Sequence, residues 1–213
     1  LPAWQAGELA LLHGVGYPKP NRSHFRAIEI WDTASAADQY LTQGWLAGIA
    51  PKVALNELDA LVLGRNAQPV TGGDCRYIRL ESIKAFLQQA GKVDGVVAQT
   101  DNPALRYLLS LQGTITQSDA LFRRRLGQGT ALQQRFPDTQ FGRQLADVAQ
   151  VIRLNLGIPV FKVALGSFDT HRNQKPLHAR LLAQLAEGLM TLRAELQAAG
   201  QWQNVLVVTY SEF

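Results

Sequence analysis

The stretch FGRQLADVAQVIRLNLGIPVFKVAL, residues 141–165, contains a complete transition from helix to strand. Its first part has apolar residues at the i, i+3, i+4 spacing of an amphipathic helix, namely Phe141, Leu145, Val148, Ala149, Ile152 and Leu156. Gly157 ends this pattern, and the nearly continuous apolar run over 158–165 is typical of a strand that is buried on both faces. The stretch therefore predicts a long helix followed by a buried strand.

The residues that follow repeat the same order of elements. A second apolar stripe predicts another long helix, which ends at Gly200 and contains Leu177, Leu181, Leu185, Leu189, Leu192 and Leu196. The apolar run 205–209 then predicts a further strand. In the first half of the chain, strands are predicted over 9–15, 58–63 and 76–78. Helices alternating with apolar strands indicate an α/β fold whose strands are parallel.

The middle of the chain has the weakest periodicity. Helices are predicted over 80–90 and from Asn102-Pro103 to about Leu126, since an asparagine followed by proline is a common helix start. We interpret 60–138 as a helical insertion or cap within a single α/β domain that covers residues 1–213. Because the chain begins with Leu1 and stops directly after a predicted strand, we expect that domain to be incomplete at both ends.

Composition and charge exclude several classes of protein. With 46% apolar residues the chain can bury a full core, and its 21 basic against 17 acidic residues leave it only mildly basic. The run Arg123-Arg124-Arg125 is flanked by apolar residues, which favours a solvated helix face over a nucleic-acid site. The only cysteine, Cys75, excludes an internal disulfide and a cysteine-based zinc site. No apolar run approaches the roughly 18 residues of a membrane-spanning segment.

Polar residues follow three of the predicted strands. Because the carboxyl ends of parallel strands lie at one edge of a sheet, these loops can converge there. They contain hydroxyl, imidazole and carboxylate groups, namely Ser23, His24, Asp169, His171, Ser211 and Glu212. Such a mixture suits a divalent cation such as zinc, manganese or magnesium, and a nucleophile activated by that metal.

Each of these residues also has a simpler interpretation. Ser23 is either a helix N-cap or a nucleophilic or anion-binding hydroxyl. His24 is a surface residue or a ligand. Asp169 and His171, two residues apart, either face one ion or form a polar turn with an exposed histidine. Glu212 is a ligand, a general base or a surface charge. A Ser-His-Asp hydrolase is disfavoured, because the residues around Ser23 lack the Gly-x-Ser-x-Gly pattern.

Three segments together resemble a bacterial protein family. They are LALLHGVGYPKPNRSHFRAIEIWDTA (9–34), VFKVALGSFDTHRNQ (160–174) and VLVVTYSEF (205–213), in this order and spacing. The chain resembles the domain-of-unknown-function family 1501, which belongs to the alkaline phosphatase-like superfamily with sulfatases and phosphomutases. The resemblance implies a three-layer α/β/α sandwich with a mainly parallel central sheet.

The resemblance also implies a function and a set of site residues. It implies a metal-dependent hydrolase of small anionic phosphate or sulfate esters, with Ser23 and His24 in the nucleophile segment. Asp169, His171 and Glu212 would be metal ligands, with zinc or manganese as the expected metal. Members often follow a twin-arginine-type export signal, which implies a periplasmic or exported protein.

One departure from the family pattern supports an alternative. Many superfamily members carry adjacent aspartate and histidine where this chain has Glu212 and Phe213, so one histidine ligand is missing. The alternative is a non-catalytic binding or assembly protein that retains the sandwich fold.

Overall fold

The structure, a computed structural model, describes residues 2–55, 58–92, 98–126 and 132–212. Its α-helices are α1 (Pro2–Gln5), α2 (His24–Thr33), α3 (Ala50–Val53), α4 (Ile83–Ala90), α5 (Pro103–Leu126), α6 (Gln140–Arg153) and α7 (Gln174–Ala198). Its strands are β1 (Ala60–Leu63), β2 (Tyr77–Leu80) and β3 (Val160–Val163). Short 3-10 helices occur at Trp45–Gly48, Gln68–Val70, Gln133–Arg135 and Trp202–Asn204.

The three strands form one parallel sheet in the order β2-β1-β3. Ala60, the first residue of β1, pairs with Tyr77 of β2 and with Val160 of β3. All four residues of β1 are buried, as expected for a central strand that is covered on both faces. The prediction of a mixed α/β chain with parallel strands is therefore confirmed.

Helices α6 and α7 confirm the two long apolar stripes, and they pack closely against each other. Gly188 of α7 allows this approach. A Cβ atom added there would lie 2.8 Å from Cδ1 of Leu145 and 2.9 Å from Cε1 of Phe141, both on α6. Those two side chains are buried in the core, so the space above Gly188 is already filled.

The core has two main apolar clusters on either side of α6. One joins the sheet to α4, α5 and α6 and includes Leu61, Leu63 and Phe122. The other lies between α6 and α7 and includes Phe141 and Leu196. Helix α6 supplies residues to both clusters, which explains why its apolar periodicity is so clear in the sequence.

Helix α4 begins at Ile83 rather than at Leu80, because Leu80 is the last residue of β2. Its first turn is capped twice. The Ser82 hydroxyl accepts a hydrogen bond from the amide of Ala85 at 3.1 Å, and Oδ2 of Asp147 accepts one from the amide of Ile83 at 3.0 Å. Burial raises the pKa of Asp147, opposed by the Ile83 amide and the Gln133 side chain, which both donate to its carboxylate.

The strands predicted over 9–15 and 205–209 are wrong for the described chain. Neither segment is paired as a strand, and both expose apolar side chains, with Leu12 83% and Leu206 86% exposed. An apolar segment forms a strand only when a neighbouring strand pairs with it, and no described residue does so here. The sheet consequently has three strands in the described residues, fewer than we expected.

The predicted insertion, residues 60–138, contributes β1, β2, α4 and α5. The helix predicted from Asn102-Pro103 is confirmed, with Oδ1 of Asn102 accepting a hydrogen bond from the amide of Ala104 at 2.9 Å. The assignment of this region as a cap, and of 1–213 as one incomplete domain, stays a prediction. Among the described helices, none has the length and apolar content needed to cross a membrane.

Candidate functional site

Ser23 lies at the N-cap position of α2 in an extended conformation, with φ −82° and ψ 117°. Its side chain makes no capping hydrogen bond with the described part of the helix. Instead, its backbone amide donates to Oδ1 of Asn21 at 2.8 Å, and the Asn21 amide donates to the Tyr17 hydroxyl at 3.1 Å. The Ser23 hydroxyl thus lies at the amino end of a ten-residue helix without the capping role that its position predicts.

His24 and Glu212, which are far apart in sequence, lie together. Nδ1 of His24 is 3.5 Å from Oε1 of Glu212. The imidazole is half exposed, whereas only 8% of the Glu212 side chain is exposed. Oε2 of Glu212 is buried and has no hydrogen-bond partner within the described chain. A buried carboxylate oxygen without a partner is unfavourable, so this atom is available to a proton or a cation.

Asp169 and His171 form a second pair, on the loop between β3 and α7. Nε2 of His171 is 3.2 Å from Oδ1 of Asp169, and the histidine side chain is 85% exposed. The two side chains therefore face the same side of the loop, as the two-residue spacing predicts.

His178 of α7 holds this loop through two hydrogen bonds. Its Nε2 lies 2.8 Å from the carbonyl oxygen of Phe168 and 3.0 Å from the Thr170 hydroxyl. Because a carbonyl oxygen can only accept, Nε2 carries the hydrogen that is donated to Phe168. The ring also packs edge-on against Phe168, with 5.7 Å between the ring centroids. His178 therefore contacts the residues on both sides of Asp169, through the Phe168 backbone and the Thr170 side chain.

The donor chemistry of these residues fits zinc or manganese, since carboxylate oxygens and imidazole nitrogens are their usual ligands. The two pairs are His24 with Glu212 and Asp169 with His171. Within the described ranges, however, the structure assembles no cluster of three or more such residues around one point. Phe213, which occupies the position of the expected histidine, lies outside the described residues. The metal ligand set stays a prediction.

A buried polar network next to these residues was not predicted. Asp32 of α2 is 2% exposed, and it accepts hydrogen bonds from Asn66 at 2.6 Å and from the Tyr210 hydroxyl at 2.7 Å. The Lys162 ammonium of β3 donates to the Asn66 carbonyl oxygen at 2.9 Å. The network joins α2, the loop after β1, strand β3 and the segment that leads to Glu212.

Burial and the Asp32 carboxylate control the protonation of this network. Burial raises the pKa of Tyr210, and its hydrogen bond to Asp32 raises it further, because the phenolate would face a carboxylate. Burial lowers the pKa of Lys162, and the charge of Asp32 opposes that change. Lys162 is the sequence feature that could have predicted this network, since a charged residue within an apolar strand requires a polar partner.

The fold and the site define a mixed α/β protein with two acid–histidine pairs, one at the start of α2 and one on the loop before α7. Residues 15–213 match a family described as "Protein of unknown function (DUF1501)". The chain belongs to this family. Searches of curated proteins and of solved structures found no match to the chain.

Proposed function

We propose that the chain is a metal-dependent hydrolase of phosphate or sulfate esters, with an α/β/α sandwich of the alkaline phosphatase type. One observation carries the proposal: the Ser23 hydroxyl, not used for capping, lies at the amino end of α2 next to the His24–Glu212 pair. The amino end of a helix favours an anion, because unpaired amides and the helix dipole both point toward it. A hydroxyl there is suited to contact or attack an anionic ester.

The His24–Glu212 pair supports proton transfer at this position. When Nδ1 of His24 donates to the Glu212 carboxylate, Nε2 is left as an acceptor. It can take the proton of an attacking hydroxyl or water and return it to the leaving oxygen. The buried carboxylate holds the imidazole in that tautomer. In this mechanism Ser23 is the nucleophile or the anion contact, and His24 transfers the proton.

Asp169, His171 and Glu212 are the proposed metal ligands. Two observations support this assignment: Asp169 and His171 face the same side of their loop, and Oε2 of Glu212 has no partner among the described residues. Zinc or manganese bound there would supply Lewis-acid stabilisation of the developing charge. The chain's own role is to supply carboxylate and imidazole donors and to hold the loop that carries Asp169 through His178.

The proposed substrate is a small anionic ester rather than a nucleic acid. The net charge of +4 favours an anionic substrate weakly, and the arginine run 123–125 lies on α5. Members of the family are often preceded by an export signal, and the resemblance to them supports a periplasmic or exported location. That family's relation to sulfatases and phosphomutases supports the sandwich fold.

The test is turnover by the purified 213-residue chain of 4-nitrophenyl phosphate and 4-nitrophenyl sulfate, with zinc or manganese added. Ser23→Ala should lower kcat by about 10³-fold or more if Ser23 is the nucleophile. Ser110→Ala, a change at an exposed serine of α5, is the matched control and should retain activity. Activity that survives in Ser23→Ala would contradict the nucleophile assignment.

Metal content distinguishes the ligand assignment from the hydrolase assignment. Asp169→Ala should lose bound zinc or manganese, measured by mass spectrometry of the metal, whereas Asp138→Ala should keep it, because the Asp138 side chain is 96% exposed and pairs only with Arg143 among the described residues. Unchanged metal in Asp169→Ala would show that Asp169 is not a ligand. A chain that turns over neither ester with either metal would instead support the alternative, a non-catalytic binding protein.

A further inference from the structure

We infer that a cavity between the second half of α2, Tyr17 and the segment 208–210 binds the aryl group of the ester, which makes aryl esters the preferred substrate class. That the ligand is an ester rests on the proposed function. That the ligand carries an aryl group rests on the cavity alone. The cavity has a volume of about 350 Å³. That value is near the lower end of the roughly 300–1,000 Å³ of ligand pockets.

The walls of the cavity are mainly aromatic and apolar. They include Tyr17, Ile30, Trp31, Trp45, Val208 and Tyr210. The rings of Trp31 and Tyr210, which both line the cavity, are stacked, with 6.2 Å between centroids and 27° between planes, so the wall contains a preformed aromatic pair. Flat aromatic walls favour a flat aromatic ligand, because ring pairs gain energy beyond the burial of area. An aliphatic chain would not use this geometry.

The cavity also contains one polar group without a partner. Ser35 lines it, is 5% exposed, and its Oγ has no hydrogen-bond partner in the described part of the protein. A buried hydroxyl without a partner is unfavourable unless a ligand or water supplies the missing bond. A ligand that combines an aromatic body with an oxygen or nitrogen substituent therefore fits the cavity better than a hydrocarbon does.

Two chain segments connect the cavity with the catalytic residues. The Tyr17 hydroxyl accepts from the Asn21 amide, and Asn21 in turn accepts from the Ser23 amide. On the other side, Tyr210 lines the cavity two residues before Glu212, and its hydroxyl is fixed by Asp32. An aryl group in the cavity would therefore contact two segments that continue directly to Ser23 and to Glu212, the residues proposed to act on the attached phosphate or sulfate.

The test measures binding of 1-naphthol, the alcohol of an aryl ester, to the 213-residue chain by isothermal titration calorimetry. Val208→Trp places an indole in the cavity wall, at a residue that is 65% exposed and therefore tolerates a larger side chain. Leu206→Trp makes a similar change two residues away, outside the cavity lining. We expect Val208→Trp to raise the Kd about tenfold or more, and Leu206→Trp to leave it within about twofold.

A second variant tests the polar contact. Because the Ser35 hydroxyl has no partner within the described chain, Ser35→Ala removes no internal hydrogen bond and should fold normally. It should raise the Kd of 1-naphthol about threefold or more, which corresponds to the loss of one hydrogen bond. An unchanged Kd in Ser35→Ala would overturn the assignment of that hydroxyl.

The outcomes separate this inference from the proposed function. Absence of 1-naphthol binding, or an equal effect of Val208→Trp and Leu206→Trp, would overturn the aryl site, even if the chain hydrolyses 1-naphthyl phosphate. Specific weakening in Val208→Trp without hydrolysis of 1-naphthyl phosphate or sulfate would support the aryl site and contradict the hydrolase. Specific weakening together with a raised KM for 1-naphthyl phosphate in Val208→Trp would support both.

Discussion

Replacing Gly188 by alanine tests how closely α6 and α7 pack. Two effects oppose each other in Gly188→Ala. Alanine is the better helix former by about 1 kcal/mol in a helix interior. The new Cβ, however, would lie 2.8 Å from Leu145 Cδ1 and 2.9 Å from Phe141 Cε1, which is closer than van der Waals contact. Both side chains are buried, so neither can move aside freely, and overpacking of this kind costs about 1–3 kcal/mol.

Gly113→Ala is the matched control, because Gly113 also lies within a helix and a Cβ there meets nothing within 4 Å. It should raise the free energy of unfolding by up to about 1 kcal/mol. The helix preference is common to both variants and cancels in their difference. We therefore expect Gly188→Ala to be less stable than Gly113→Ala by about 1–3 kcal/mol, the cost of overpacking alone.

The assay is urea denaturation followed by far-ultraviolet circular dichroism, with both variants and the parent chain under the same conditions. If Gly188→Ala gains as much stability as Gly113→Ala, the close packing of α6 on α7 is wrong. A further check is the double variant Leu145→Ala with Gly188→Ala. Since Leu145→Ala makes room for the new Cβ, Gly188→Ala should cost less in that background than in the parent chain.

Two further predictions concern ionisable groups. Tyr210→Phe should lower the free energy of unfolding by about 1–2 kcal/mol near pH 7, because Asp32 loses a buried hydrogen bond, while Tyr107→Phe, at an exposed residue, should not. The pKa of Tyr210 is raised on folding, so the stability that its protonated hydroxyl contributes is present below its ordinary pKa of 10.0 and is lost as pH rises above that value. Urea denaturation at several pH values measures this, and a difference between parent and Tyr210→Phe that grows above pH 10 would contradict it. Burial first, and then Asp59, raises the pKa of Cys75 to about 11 from 9.0. Because the thiolate is the reactive form, iodoacetamide at pH 8 should alkylate Cys75 in the folded chain on the order of a hundredfold more slowly than in the chain unfolded by urea. Equal rates in the two states would contradict this prediction.

The sequence predicted the elements whose formation depends on local pattern. Helices α6 and α7 followed from leucine and aromatic spacing, because each has one face against a core cluster. Strand β3 followed from its apolar run, although it is four residues long in the structure and the run is eight. The run 205–209 is likewise mainly apolar and rich in valine, and it is not a strand. Composition thus indicates the tendency to pair, whereas the presence of a partner strand decides the outcome.

The candidate site was predictable to different degrees. The contact between Asp169 and His171 followed from a two-residue spacing in an extended loop. The contact of Glu212 with His24 was expected because loops after parallel strands converge, but neither residue follows a strand in the described structure, so that argument does not explain the contact. The hydrogen bond between Asp32 and Tyr210 joins residues 178 positions apart, and no local pattern points to it. Tertiary contacts of that kind depend on the packing of α2, which the sequence does not specify.

The pairing of β1 with β3 has a consequence for how the chain folds during synthesis. Ala60 pairs with Val160, so 100 residues separate the two partners (160 minus 60). At about 5–20 residues per second, a ribosome needs roughly 5–20 s to make the intervening chain. During that interval β1 can pair with β2 alone, and its other edge has open backbone groups beside buried-type residues such as Leu61. The nascent chain therefore has an open strand edge, a site for incorrect pairing, until β3 has been made.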